Sequence, residues 1–351
     1  MKKLATGIDT LEIGYEVDQF IDENDLLDMI ALKDIANEDR SEIPIKLHGR
    51  DFALSYKTPQ RYDFYLHNAD IQLTISSRFI SPRPYPEVHL KFLSPYLWTT
   101  GLLKCVETAE EMIKEIFWVT GSKISRADLS VDMGCELPKV ERNQFVTRLC
   151  SKNEYSVGQL GSDTKFNRYA VGINDSGFTL GMTDIRLRQY PKDFEIELTG
   201  KKYFLPIWES AGREGNENVT RTEFQCNRDF LKKWNINKAD DLINSTGSLW
   251  EYLTNQTVRI CEPRNEIRRQ YWNTIPFWDE IQKVNFVNYP GLSQSEKTKW
   301  NRDRSITMMR GYMLNLQAHG ECIENTFKEV YESPEYADDL IRKMSSVSHI
   351  N

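Results

Sequence analysis

The sequence predicts an α+β fold, a mainly antiparallel sheet domain flanked by helices and followed by a helical C-terminal region. Between about residues 60 and 226, short runs alternate apolar and polar side chains and are separated by turn residues, the pattern of half-buried strands. Beyond about residue 238, apolar residues recur every three or four positions, the pattern of helices packed on one side. A length of 351 residues fits two domains with a small appendage, and no repeat, low-complexity tract or Gly/Ser linker interrupts it. The expected division is an acidic N-terminal segment over 1–45, a sheet domain over 46–245 and a helical region over 246–351.

In chain order, residues 8–17 form a short strand, and DENDLLDMIALKDIANEDR an acidic helix with Leu26, Leu27, Ile30 and Ile35 on its buried side. Arg61 to Leu66 and Ile71 to Ser76 pair as a hairpin across His67-Asn68-Ala69-Asp70. In PEVHLKFLS, Val88, Leu90 and Phe92 alternate with His89 and Lys91, and Leu102 to Val119 is helical and ends at Gly121. KISRADLSVDM returns to period two. It sets Ala127, Leu129, Val131 and Met133 on one face and Arg126, Asp128, Ser130 and Asp132 on the other. Strands over Tyr169 to Ile173 and Gly177 to Gly181 lead into DIRLRQYPK, where Asp184, Arg186, Arg188, Tyr190 and Lys192 share a face. TRTEFQC then places Arg221, Glu223 and Gln225 together. Helices follow over Ala239 to Leu253, around Ile267 to Tyr271, over Phe277 to Val284 and over Glu296 to Ala318.

Charge and composition exclude several classes. The net charge of −7 argues against a polyanionic partner until its distribution is seen. Residues 1–43 hold 12 of the 52 acids and 4 of the 45 bases, leaving 40 acids and 41 bases in a neutral body. No apolar run approaches the roughly 20 residues of a membrane span, and the start has no signal-peptide character, so a cytoplasmic protein is expected. Six cysteines without a CxxC pair read as reduced thiols, and a zinc site is not expected. No phosphate loop, dinucleotide turn or nucleophile elbow occurs, and the five histidines form no His-x-His or HExxH pair.

What remains is a phosphoryl-transfer inventory on three polar strand faces: Arg126/Asp128/Ser130/Asp132, Arg186/Arg188/Tyr190/Lys192 and Arg221/Glu223/Gln225. Tyr190, with Arg188 and Lys192 two residues to either side, is the candidate nucleophile, since these cations bind phosphate oxygens and stabilise a phenolate. Carboxylates suit Mg²⁺ or Mn²⁺. Asp128 and Asp132, four residues apart at about 3.3 Å per residue, stand roughly 13 Å from one another, so both cannot coordinate one ion without a bulge. Asp128 and Glu223 are the preferred ligands and Asp132 the less certain one. Arg126, Arg186 and Arg221 are candidate DNA contacts. Arg264, Arg268, Arg269 and Trp272, in a segment that also holds Tyr271 and Trp278, combine cations and rings suited to phosphates and unpaired bases.

Four of these segments resemble one family. ISRADLSVDM is similar to the R-x-D-L-x-x-D strand of the replication initiation factor family, the trans-acting initiators of rolling-circle plasmids and some filamentous phages. GFTLGMTDIRLRQYPKDFE resembles its Y-x-G, turn, R-x-Y-x-K segment, VTRTEFQC its R-x-E strand, and RRQYWNTIPFWDEI its downstream basic-aromatic segment. The resemblance spans about residues 120–284 and implies a nicking domain that cleaves and rejoins origin DNA, single-stranded or in an extruded hairpin, through a covalent 5′-phosphotyrosine. A host helicase and polymerase are candidate partners of such an initiator, and a homodimer a candidate assembly, which the sequence itself does not fix. Pro191 departs from the polar residue expected after the tyrosine. A conjugative relaxase of the same chemistry and a non-catalytic DNA-binding protein are the alternatives the residues leave open.

Overall fold

In the computed structural model, the described residues are 1–77, 85–149, 166–171, 174–181, 183–265, 268–293 and isolated positions between 302 and 328. Strand β1, Lys2–Phe20, is followed by α1 (Glu23–Asp39), β2 (Ile43–Leu47), β3 (Arg50–Leu54), β4 (Phe64–His67), β5 (Ile71–Ile75) and β6 (Val88–Phe92). Helices α2 (Ser94–Thr100) and α3 (Leu102–Ile116) lead into β7 (Phe117–Gly134), then β8 (Phe145–Thr147), β9 (Phe166–Val171), β10 (Asn174–Leu180) and β11 (Ile185–Pro191). After α4 (Lys192–Thr199) and α5 (Phe204–Ser210) come β12 (Val219–Asn227), α6 (Arg228–Lys233), α7 (Ala239–Tyr252), β13 (Val258–Ile260) and α8 (Pro276–Gln282). Eleven of these strands form one sheet, in the order β2-β3-β4-β5-β6-β1-β7-β12-β11-β10-β9, and each neighbouring pair is antiparallel. The α+β expectation holds.

The sheet is built as its period-two segments require. Ala127, Leu129, Val131 and Met133 of β7, Phe224 and Cys226 of β12 and Leu187 of β11 are all fully or almost fully buried and share the main core. That core also takes in the apolar stripe of α3 (Cys105, Val106, Ala109, Met112, Ile113, Ile116) and residues of α6, α7 and α8. The described cysteines, Cys105, Cys135, Cys226 and Cys261, are free thiols, as expected. No helix among the described residues is long and apolar enough to cross a membrane.

Five expectations need correction. The segment 1–45 is not an acidic appendage, because β1 lies inside the sheet, hydrogen-bonded to β6 on one side and β7 on the other. Residues 246–292 are not separate either. The chain divides into a unit of residues 1–292 and a second unit of residues 293–351, in which the described positions within 302–328 are helical. Third, α3 stops at Ile116, whose successor Phe117 is extended (φ −131°), because the aromatic and β-branched run Phe117 to Thr120 favours strand and lengthens β7. Fourth, α1 buries Met29 and Ala36, whereas Leu27, Ile30 and Ile35 are exposed. The helix expected around Ile267 to Tyr271 is a single 3₁₀ turn at Arg269–Tyr271, with 266–267 outside the described residues. Of the helix expected over 296–318, all but isolated positions lie outside them too.

Candidate active site

The three polar strand faces foreseen separately are adjacent. Antiparallel register aligns them in three rows, Asp128–Gln225–Arg186, Ser130–Glu223–Arg188 and Asp132–Arg221–Tyr190, running across β7, β12 and β11. Because side chains alternate faces, the apolar residues between these positions face the core and the rows occupy the opposite side.

In the third row Asp132 and Arg221 are covered, while Tyr190 keeps intermediate exposure. Arg221 is fully buried, and its Nε and one terminal nitrogen donate to the two oxygens of Asp132 at 2.6 and 2.8 Å. Its other terminal nitrogen donates to Asp9 Oδ1 at 2.5 Å. Trp208 Nε1 of α5 donates to Asp132 at 2.9 Å, and Trp98 Nε1 and Ser94 Oγ of α2 donate to Asp9 at 2.9 and 2.8 Å. The guanidinium lies over the rings of Phe204 (4.4 Å) and Trp98 (5.4 Å), so aromatic faces replace water around the cation. Asp9 was invisible to period-two reading because β1 shifts register against β7 between Ile8 and Thr10. That bulge supplies the extra residue and re-aims its carboxylate. Arg221, expected as a DNA contact, is fully buried here, and both oxygens of Asp132, the less certain of the expected metal ligands, accept from Arg221. Both are committed to a buried structural cluster.

The first two rows stay more open. Asp128 accepts two hydrogen bonds from Arg126, at 2.8 and 2.5 Å, and Arg126 also reaches Glu12 at 3.3 Å, which in turn lies 3.4 Å from His89 of β6. Burial pushes the Asp128 carboxyl up to about 7, against the Arg126 hydrogen bond, and the Glu223 charge adds to the rise. Glu223 is 4% exposed and uses both oxygens: Oε1 accepts from Arg188 at 3.0 Å and Oε2 accepts from the Tyr190 hydroxyl at 3.2 Å. Arg188 donates a second bond to Gln225 at 3.1 Å and stays about one-third exposed. Burial first, then the Glu223 charge, holds the Tyr190 phenol well above its ordinary range, with Arg221 pulling the other way.

Lys192 departs from expectation. Pro191 ends β11, so Lys192 opens α4 instead of continuing the strand face. Its buried ammonium pairs with Glu195, 4.7 Å from the Phe204 ring and 5.5 Å from that of Tyr190. Gly177, on β10, fixes the other side of the tyrosine. It has φ +121°, and a Cβ there would stand 2.2 Å from the Gln189 carbonyl oxygen and 2.9 Å from Tyr190 Cβ.

The expected metal ligands do not form a ligand set. Among the described residues no three His, Cys, Asp or Glu come together to hold a metal. Asp128 and Glu223 each accept from a guanidinium group and Asp132 from Arg221, so this arrangement does not fit Mg²⁺ or Mn²⁺. Arg269 opens the 3₁₀ turn Arg269–Tyr271, Arg268 precedes it and Arg264 lies upstream. Arg264 and Arg268 are exposed, while Trp272 is 7% exposed beneath Arg269, whose guanidinium sits 5.2 Å from the ring.

No family model matches the chain, and no curated protein does. Among solved structures, the chain is similar to the rolling circle replication initiator protein from Geobacillus stearothermophilus. The identity is 11%, the TM-score is 0.43, and the match covers 82% of this chain and 99% of that one.

Proposed function

We propose that this chain cleaves and rejoins a DNA strand through Tyr190, as the initiator of rolling-circle replication of the element that encodes it. The observation that carries the reading is the meeting of two segments, β11 and β12, on one sheet face. The Tyr190 hydroxyl touches Glu223, Glu223 touches Arg188, and Arg188 keeps a partly exposed guanidinium able to take a phosphate. The motifs that resemble the initiator family supply these residues, and the register places them side by side.

A phosphodiester laid on Arg188 would bring phosphorus to the phenol oxygen. Attack forms an O–P bond to Tyr190 and breaks the bond to the 3′ oxygen, leaving a 5′-phosphotyrosine and a 3′ hydroxyl end. The ester keeps the bond energy of the phosphodiester, so the strand can be reclosed without a nucleotide cofactor. The test is incubation of the full chain with the supercoiled circular element that carries its gene. Nicked circles and a detergent-stable protein–DNA adduct are expected, with both lost in Tyr190→Phe. Cleavage by Tyr190→Phe at the wild-type rate would overturn the assignment.

A further inference from the structure

We propose that Glu223 is the general base of the reaction, accepting the Tyr190 proton as the phenol oxygen attacks phosphorus, and that Arg188 is the positioning residue that aims it. The inference rests on the strand-cleaving reading above and changes the role expected of Glu223, from holding an ion to moving a proton.

The geometry is that of a nucleophile, a base and an orienting group. Tyr190 Oη donates to Glu223 Oε2 at 3.2 Å, within the reach a base needs, and Arg188 fixes the other oxygen at 3.0 Å. Arg188 is itself held by Gln225 at 3.1 Å, so the three side chains form a fixed line on adjacent strands β11 and β12.

The charged groups facing Tyr190 are Glu223 and Arg221 from β12, Asp9 from β1, and Lys192 and Glu195 from α4. Asp9 accepts from Ser94, Trp98 and Arg221, and Glu195 accepts from Lys192 and Lys201. Arg221 and Lys192 are cations already bound to carboxylates. Of these groups, Glu223 accepts the hydrogen bond from the phenol hydroxyl. A phenol that attacks phosphorus must give up its proton to an acceptor within hydrogen-bond reach, and Glu223 Oε2 is in that place.

The step balances. The phenol oxygen bonds to phosphorus, its proton passes to Glu223, and the 3′ oxygen leaves with the electron pair of its former bond and takes a proton from water. The hydroxide so formed removes the Glu223 proton. On rejoining, the 3′ hydroxyl attacks and the departing phenol oxygen recovers a proton through Glu223.

The test uses the full chain and the same supercoiled circle. Glu223→Gln keeps the shape of the side chain and a hydrogen-bond acceptor but removes the base, and is expected to slow adduct formation about a hundredfold or more. Placing 3,5-difluorotyrosine at position 190 lowers the phenol pKa and makes the base less necessary. It is expected to restore Glu223→Gln by at least about tenfold, a recovery that a structural or ion-holding role for Glu223 would not give. Glu223→Asp, which withdraws the carboxylate, is the second variant and follows the same pattern. Loss below tenfold in Glu223→Gln, or loss without recovery on fluorination in either variant, overturns the base assignment while an active wild type keeps the strand-cleaving reading. A wild type without adduct, or an active Tyr190→Phe, ends that reading itself.

Discussion

Arg221 and Asp132 face each other across β12 and β7 with no solvent exposure on either side chain, joined by two hydrogen bonds. A guanidinium and a carboxylate taken this far from water are worth little as a pair compared with apolar residues of the same size, but removing one partner strands the other charge. Arg221→Met or Asp132→Leu alone is expected to cost about 3–5 kcal/mol of unfolding free energy, and the double replacement markedly less than the sum. Denaturant titration of the three variants checks this, and single-variant losses below about 1 kcal/mol would remove the structural role.

Asp128 makes stability depend on pH in a defined direction. Its carboxyl rises from 3.8 to about 7 in the folded chain, so the folded state holds a proton that the unfolded state gives up. The contribution is complete below about pH 3.8 and is lost as pH rises to about 7. Asp128→Asn has no proton to lose. The stability difference between wild type and Asp128→Asn is therefore expected to move against the wild type between pH 4.5 and pH 7.5, measured by denaturation at each pH, on the order of several pKa-linked tenths to a few kcal/mol. A difference that stays flat across that interval contradicts the burial of this carboxyl.

Arg264 and Arg268 are the candidate DNA contacts of the basic-aromatic segment that are exposed. Both are exposed, so Arg264→Ala and Arg268→Ala are expected to leave stability within about 0.5 kcal/mol. Each is also expected to weaken binding to duplex DNA and to lower the salt slope by about 1. Trp272 belongs to a different class despite its place in the same segment. At 7% exposure, Trp272→Ala is expected to destabilise the fold by about 3–5 kcal/mol. Fluorescence anisotropy at two salt concentrations separates the cases, and unchanged salt slopes in the arginine variants would place recognition elsewhere.

The strand faces around Tyr190 were legible because period-two alternation survives in β7, β11 and β12 without interruption at the site. Their mutual register was not, since nothing local aligns Glu223 with Arg188 or Asp132 with Arg221. Asp9 was missed because a bulge breaks the alternation on which the reading depends. Lys192 was placed on the wrong element because proline closes β11 one residue before it. The exposed side of α1 was misjudged for a different reason. Apolar spacing reports a helical stripe but not which stripe meets the sheet, and in α1 the buried positions are Met29 and Ala36.

The place of β1 between β6 and β7 also sets a schedule for biosynthesis. Its partners lie at residues 88–92 and 117–134, so β1 is made before either, and its β7 edge stays unpaired until more than a hundred further residues have been polymerised. At about 5–20 residues per second, that is a delay on the order of ten seconds. During it, a nineteen-residue apolar-rich ribbon presents an open hydrogen-bonding edge. The chain therefore folds late relative to its own translation, with a sheet centre closed by its most sequence-distant pairing. Slowing elongation across residues 90–134 lengthens the time for which the β7 edge of β1 stays open.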